Sequence, residues 1–428
     1  CDNVPSTLEN AIMVETIETL VVGAGQAGIA ASAHLTRHGI PHLVLEKDRI
    51  AESWRTRRWD SLVANGPAWH DCFPGMQFPK SGPEAFPPKE EVATALAGFA
   101  KSHNAPIRTG IEVKSLTRVD GRSSFRVKTS QGLIEAQNVI AATGAFHHPV
   151  SPQIIPKTAG ITQMHSADYC NPDQLSDGAV LVVGAGSSGG QIADELQRSG
   201  RKVYLCIGPH GRPPRAYRGR DYCWWLGVLG LWDVAAKKSG TEHVTISVSG
   251  ARGGETVDFR RLAHGGITLL GRASGYQEGK LLVDDDLADN VAAGDANYFD
   301  MLAQADAYID RFGLNLPEEP HAHVLPNDPD CLSHPVRELD LEDAGVTTVI
   351  WSTGYRQDFS WINLPNACDA DGSPYHQRGV SREPGLYFLG LPWQSRRGSA
   401  FIWGVWHDAA HVADQIEIQR NYRQYSPA

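Results

Sequence analysis

Thr19-Leu20-Val21-Val22-Gly23-Ala24-Gly25-Gln26-Ala27-Gly28 is the stretch that decides the fold. Its apolar run reads as a buried strand, and the alanine-rich spacing from Gly25 to His38 predicts a helix. A strand that turns at once into a helix needs glycine at Gly23. Gly25 leaves room for a pyrophosphate against the backbone, and Gly28 lets strand and helix pack closely. The helix N-terminus then offers free N–H groups and a positive dipole end to phosphate. Next comes His42-Leu43-Val44-Leu45-Glu46, a second strand whose terminal acid stands 18 residues after Gly28. A carboxylate there accepts hydrogen bonds from a ribose diol.

The pattern returns about 160 residues later, at Ala179-Val180-Leu181-Val182-Val183-Gly184-Ala185-Gly186-Ser187-Ser188-Gly189, with a helix expected to Arg198. The strand that follows, Lys202 to Ile207, ends without an acid. Beyond it lie Arg212, Arg215, Arg218 and Arg220. Loss of the carboxylate and gain of arginines is what a 2′-phosphate requires, so this turn reads as an NADP(H) site with Arg212 and Arg215 among its ligands. A solvated arginine loop is the alternative.

Composition narrows the rest. The chain has 428 residues, enough for two domains, and its 41% hydrophobic and 21% charged content are globular values. A net charge of −10 argues against a nucleic-acid partner, which would need a basic face. No Gly-Lys-Ser/Thr phosphate loop occurs. Seven cysteines lie far apart with no Cys-x-x-Cys pair, which points to free thiols in a reducing compartment, the cytoplasm. No apolar run is long enough for a transmembrane segment, and residues 1–10 are too polar for a signal peptide. Met13, just before the first strand, suggests a start there with residues 1–12 as an extension.

Two such turns resemble the two-dinucleotide-binding flavoproteins. Val139-Ile140-Ala141-Ala142-Thr143-Gly144 and Val349-Ile350-Trp351-Ser352-Thr353-Gly354-Tyr355 look like the strands and Thr-Gly turns by which those folds return between domains. Leu386-Tyr387-Phe388-Leu389-Gly390 resembles the late strand that meets the flavin, and a helix from about Gly404 would follow it. Within that superfamily the chain is most similar to the class B flavin monooxygenases, over about residues 17–205 and 345–415. Ser53-Trp54-Arg55, Arg58-Trp59-Asp60-Ser61-Leu62 and Asn65-Gly66-Pro67 resemble the region after the first glycine turn in that group. The group also carries a Phe-x-Gly-x-x-x-His-x-x-x-Tyr-Lys/Arg fingerprint. Here His165 and Tyr169 keep their spacing, but Ala159, Ile161 and Cys170 replace the Phe, Gly and basic residues. Tyr169 favours the flavin-containing type over the Baeyer–Villiger type.

The resemblance implies an α/β fold of two Rossmann-like dinucleotide-binding domains, the NADP domain inserted in the FAD domain. The FAD domain would span residues 13–150 and 342–428, and the NADP domain 151–341 with a helical, aromatic insertion at about 209–341. The implied cofactors are FAD and NADPH. Their expected ligands are Gly23, Gly25, Gln26, Ala27, Gly28, Glu46, Lys47, Ser53, Trp54, Arg58, Ala142, Thr143, Gly144 and Gly390, then Gly184, Gly186, Ser187, Ser188, Gly189, Arg212, Arg215, Thr353, Gly354 and Tyr355. The implied reaction inserts one oxygen atom of O2 into a small organic substrate through a flavin C4a-hydroperoxide, by N- or S-oxygenation or Baeyer–Villiger chemistry. Asn65 falls where the family has the asparagine that contacts flavin and nicotinamide and steadies that adduct. An NADPH-dependent reductase or oxidase, and a flavin-bearing redox sensor, are the alternatives. Oligomeric state stays open, a homodimer included.

Several features are secondary. His407 and His411 sit at i, i+4 on an expected C-terminal helix, but with Asp408 between them and no third ligand they read as structural rather than zinc-binding. His321 and His323 read as solvated. The aromatic stretch from Tyr217 to Trp232 reads as a small subdomain core, with a substrate tunnel or membrane-surface patch as alternatives. Asp284 to Asp286 and Asp289 read as a dipole-complementing helix start. Trp393, Arg396, Arg397, Trp403 and Trp406 are expected near the flavin strand.

Overall fold

A computed structural model of the chain describes residues 14–235 and 245–426, so the expected start at Met13 and the stretch before it lie outside the described residues. The contacts divide the chain into two compact units. One comprises residues up to 51, 96–145 and 357 onward; the other comprises 52–95 and 146–356. The segment carrying Trp54, Arg58 and Asn65 therefore groups with the second unit, whereas the sequence-based boundaries put it with the first.

The first unit is built on a sheet whose central strands are parallel. Glu15–Val22 lies between His42–Leu45 and Gly132–Ala141, in register at Val22 with Leu45 and Ala141. Leu386–Phe388 extends the sheet beyond Gly132–Ala141, again in parallel. Val113–Arg118 and Phe125–Thr129 add an antiparallel flap to the same strand. The chain leaves Glu15–Val22 toward one neighbour and later returns on its other side, which opens a crevice at the carboxyl end of that strand. The helix Gln26–Arg37 covers one face and packs along the C-terminal helix Ile402–Gln424. On the other face Leu20, Val22, Leu45, Val139, Leu386 and Phe388 join one apolar cluster.

The second unit repeats the plan with an all-parallel sheet in the order Thr268–Leu270, Val203–Cys206, Ala179–Val183, Val346–Trp351, Thr162–His165. Fully buried strands read as unbroken apolar runs rather than alternating ones, as Ala179–Val183 does. The helix Ser187–Arg198 buries Ile192, Ala193 and Leu196, and its two large side chains contribute about 1.5–3 kcal/mol each by leaving water. The expected insertion is not an appendage. It supplies the edge strand Thr268–Leu270, a three-stranded antiparallel sheet and the long helix Leu287–Phe312. That helix begins at Asp286 with Asp289 in its first turn, matching the dipole reading. The aromatic stretch is a packed subdomain in which Trp225 is buried edge-on to Trp224 and Tyr308. Among the described residues no helix is long and apolar enough to cross a membrane.

Candidate active site

The two glycine turns have closely matching geometry. Gly23 and Gly184 adopt φ of 105° and 107°, a region that favours glycine. A Cβ at either would press on a carbonyl oxygen of a neighbouring strand end, Ala142 in the first unit at 2.6 Å and Ser352 in the second at 2.5 Å. A Cβ on Gly28 or Gly189 would collide with the carbonyl of Gly23 or Gly184, so helix and turn approach only because both positions lack side chains. The helix N-caps are Gly25 and Gly186, with no capping side chain and no acid in the first turn. Each helix thus keeps N–H donors for an anion.

In the first unit the space beside Gly25 is open. The Glu46 carboxylate accepts from Ala24 N at 2.8 Å and Asp48 N at 3.0 Å, which leaves each oxygen a further lone pair for a hydroxyl donor. Gly390, at φ 85°, passes so close to Ala27 that a Cβ there would lie 2.9 Å from the Ala27 Cβ. Gln26 Nε2 donates to Ala400 O at 2.8 Å. Thr143 Oγ1 is buried with no partner among the described residues. Gly23 to Gly28, Glu46, Ala142 to Gly144 and Gly390 thus share one cradle, while Lys47 is exposed beside Glu46. The residues fit a dinucleotide.

The second cradle differs in ways that matter. Ile207, fully buried, stands where Glu46 stands in the first, so no carboxylate opposes a 2′-phosphate. The backbone of 246–248 straps the turn: Ser187 Oγ donates to Ile246 O at 2.8 Å and accepts from Val248 N at 3.1 Å, and Ser247 Oγ donates to Ala185 O. Ser352 Oγ is buried with no partner among the described residues. Thr353 Oγ1 donates to Val150 O, and Gly354 takes φ 81°.

Arg212 and Arg215 are not where a phosphate would find them. Both are buried, 2% and 3% exposed. Arg212 Nε bonds Asp295 Oδ1 at 2.9 Å, with Asp258 at 3.5 Å from Nη1. Arg215 Nε bonds Asp221 Oδ2 at 3.1 Å; burial works against its charge, and the adjacent Asp221 carboxylate more than offsets this, leaving its pKa raised. A buried guanidinium neutralised by aspartate has neither the access nor the free charge to read a 2′-phosphate. Arg218 pairs with Asp306 at 3.0 Å, and Arg220 lies exposed over the Trp224 ring at 5.4 Å.

Arg215 instead serves Asn65. Its Nη1 donates to the Asn65 carbonyl oxygen, while Gly66 N, on the same peptide group, donates to Asp71 Oδ2 at 3.1 Å. A Cβ on Gly66 would run into the Asp71 carboxylate at 2.5 Å. Gln191 Nε2 donates to Asn65 Oδ1 at 3.0 Å. The half-buried Asn65 is thereby held at its carbonyl, at the next N–H and at its side-chain oxygen. Of its side chain, the NH2 is what remains.

Arg58 lies over the rings of Phe146 at 4.7 Å and Trp54 at 5.8 Å, with Tyr355 beside it. Burial pulls its guanidinium below the usual range and Tyr355 opposes that shift. Ser53 is exposed on the short helix Glu52–Thr56. The partial fingerprint packs as a staple. His165 Nδ1 accepts from Ala167 N at 3.0 Å, so its Nε2 carries the hydrogen donated to Gly354 O at 3.0 Å; burial lowers its pKa and favours this neutral form. Tyr169 OH donates to Glu195 Oε2 at 2.8 Å. Two expectations change. Trp406 is buried against His34 and Phe99, with ring centroids at 4.2 and 5.9 Å, as core; Trp393, Arg396, Arg397 and Trp403 stay half-buried. His323 is not merely solvated, since its Nε2 lies 3.0 Å from Tyr217 OH. Among the described residues the group spaced for a metal is His38, Asp414 and Glu417, and each His38 nitrogen already meets one carboxylate.

Two glycine cradles, one with an acid at the end of its second strand and one without, define a two-dinucleotide oxidoreductase. Residues 20–218 match the family described as pyridine nucleotide-disulphide oxidoreductase. The chain is 34% identical to an uncharacterized CzcO-like oxidoreductase of Geobacillus kaustophilus, over 94% of this chain and 99% of that one. It is 32% identical to the rice (Oryza sativa) indole-3-pyruvate monooxygenase YUCCA1, over 95% and 93%. In fold it is similar to a flavin-containing monooxygenase from Stenotrophomonas maltophilia, with a TM-score of 0.65, 20% identity and coverage of 95% and 100%. The chain belongs to the flavoprotein monooxygenase family that unites the CzcO-like oxidoreductases with the YUCCA enzymes, a family that uses FAD and NADPH.

Proposed function

We propose that the first unit's cradle holds FAD, that the second holds NADPH, and that the protein inserts one oxygen atom of O2 into a small organic substrate. Bound FAD, reduced by NADPH, supplies the redox chemistry: NADPH, a proton, O2 and substrate give NADP+, water and the oxygenated product. The chain's own residues bind and orient. The helix N-termini at Gly25 and Gly186 take the two pyrophosphates, and Glu46 accepts from the FAD ribose. The observation that carries the reading is Asn65. Its carbonyl, the following N–H and its side-chain oxygen are already bonded, so the side chain is held with its NH2 free to donate to the reacting oxygen. A preorganised donor of this kind slows loss of the oxygen as H2O2.

The test is 18O2 turnover of FAD-loaded protein with NADPH and a panel of sulfides, amines, ketones and indole-3-pyruvate, the last suggested by the name of the rice relative. One 18O in product per NADPH with at least one class supports the proposal. Stoichiometric H2O2 across the panel would move the reading to an NADPH oxidase.

A further inference from the structure

We infer that Gln191 is a positioning residue that sets which end of the Asn65 amide faces the reacting centre; the inference rests on the role proposed for Asn65. The two ends of an asparagine amide differ in chemistry but hardly in shape, so a neighbour must choose between them. Here the choice traces to a group that cannot be reversed. The Val248 carbonyl only accepts, so the Gln191 atom 2.8 Å from it is the NH2 nitrogen. That same nitrogen lies 3.0 Å from the Asn65 side chain, so the Asn65 atom it meets is the oxygen. The Asn65 NH2 then points the other way, as a donor.

The reference carbonyl is itself fixed. Val248 N donates to Ser187 Oγ at 3.1 Å, and Ser187 Oγ donates to Ile246 O at 2.8 Å. Ser187 and Gln191 lie one turn apart on the helix Ser187–Arg198, so strap, helix and amide close one ring of hydrogen bonds. Gln191 is 9% exposed, and Ile192 and Leu196 anchor the same helix in the core. The helix begins at the second glycine turn, so the element that would receive the nicotinamide cofactor's pyrophosphate also orients Asn65. Gln191 acts through Asn65, with no chemistry of its own.

The experiment compares FAD-loaded full chains carrying Gln191→Met, the near-isosteric Gln191→Glu, Asn65→Ala and the double Asn65→Ala/Gln191→Met, each checked for FAD content and melting temperature. Two readouts are taken: H2O2 released per NADPH without substrate, and the Kd of NADP+ for the oxidised protein by calorimetry. One directed hydrogen bond corresponds to roughly two- to tenfold. Asn65→Ala is expected to raise H2O2 release about tenfold. Both Gln191 variants should reproduce that rise within about twofold, Gln191→Glu because its carboxylate turns the Asn65 amide around. In the Asn65→Ala background Gln191→Met should change neither readout further. Multiplying effects, or Gln191 variants as tight as the parent while Asn65→Ala leaks, would overturn the inference and leave the Asn65 reading standing. An Asn65→Ala protein indistinguishable from the parent would overturn both.

Discussion

Replacing Arg215 separates two accounts of the same side chain. As a 2′-phosphate ligand, Arg215→Met would raise KM for NADPH, leave NADH kinetics alone and cost no stability. The structure requires a different outcome. The substitution strands the Asp221 carboxylate, 14% exposed at its side chain, without its guanidinium partner, and leaves the Asn65 carbonyl without its donor. Breaking a buried pair on one side costs about 3–5 kcal/mol, because the remaining charge stays buried. For a unit of this size that lowers Tm by on the order of 10 °C. Asp221 also caps the helix Tyr222–Val228 through Cys223 N at 2.7 Å, so the double variant should be Arg215→Met/Asp221→Asn, which removes the charge and keeps an N-capping side chain. That variant should recover most of the loss. The assay is calorimetric melting of FAD-loaded protein, paired with NADPH and NADH kinetics and H2O2 yield. Arg215→Met should melt early, release more H2O2 and keep the parent's NADPH-to-NADH ratio. A variant that melts with the parent and loses only its preference for NADPH refutes the reasoning.

Other outcomes follow from single side chains. Gly28→Ala and Gly189→Ala drive a methyl into a backbone carbonyl, so each should destabilise its unit by several kcal/mol, with Gly28→Ala also losing FAD; retained FAD absorbance after gel filtration would contradict this. Glu46→Gln should weaken FAD retention by roughly ten- to a hundredfold, the worth of hydrogen bonds to a charged acceptor, read by dialysis against apoprotein. His34, 2% exposed against Trp406, has its pKa lowered from 6.5 to about 4, by burial first and Arg37 second. A depressed folded-state value leaves stability intact above pH 6.5 and removes it as pH falls toward 4, by roughly 2 kcal/mol at pH 5. His34→Leu should flatten that dependence relative to the parent, and parallel pH curves for the two would show that His34 does not carry the effect.

The parts of the fold legible in the sequence are those dictated by local backbone geometry. Gly23 and Gly184 were readable because φ near 105° and a carbonyl at 2.5–2.6 Å exclude side chains, and a buried parallel strand leaves an unbroken apolar run. What stayed hidden depends on pairs distant in sequence. The place of Asn65 after the first turn marks it in the sequence, but Gln191 and Arg215, 126 and 150 residues away, hold it, and no local spacing joins them. Trp406 looked like a flavin neighbour from its position after a late strand, yet the helix pitch turns it onto His34.

The misreading of Arg212 and Arg215 has a physical cause with wider use. An arginine beyond the second strand of a dinucleotide fold is a phosphate ligand only while its charge is unspent. The partner of Arg212 is Asp295, 83 residues away, and no sequence pattern would reveal it. The partner of Arg215 is Asp221, six residues on and at the start of a helix, whose first turn its side chain caps. A capping aspartate facing a nearby arginine across a short hairpin is therefore a reason to assign that arginine to structure first. Here that structural arginine reaches past its partner to fix the peptide of Asn65, so it bears on the proposed chemistry by holding a residue in place rather than by touching a coenzyme.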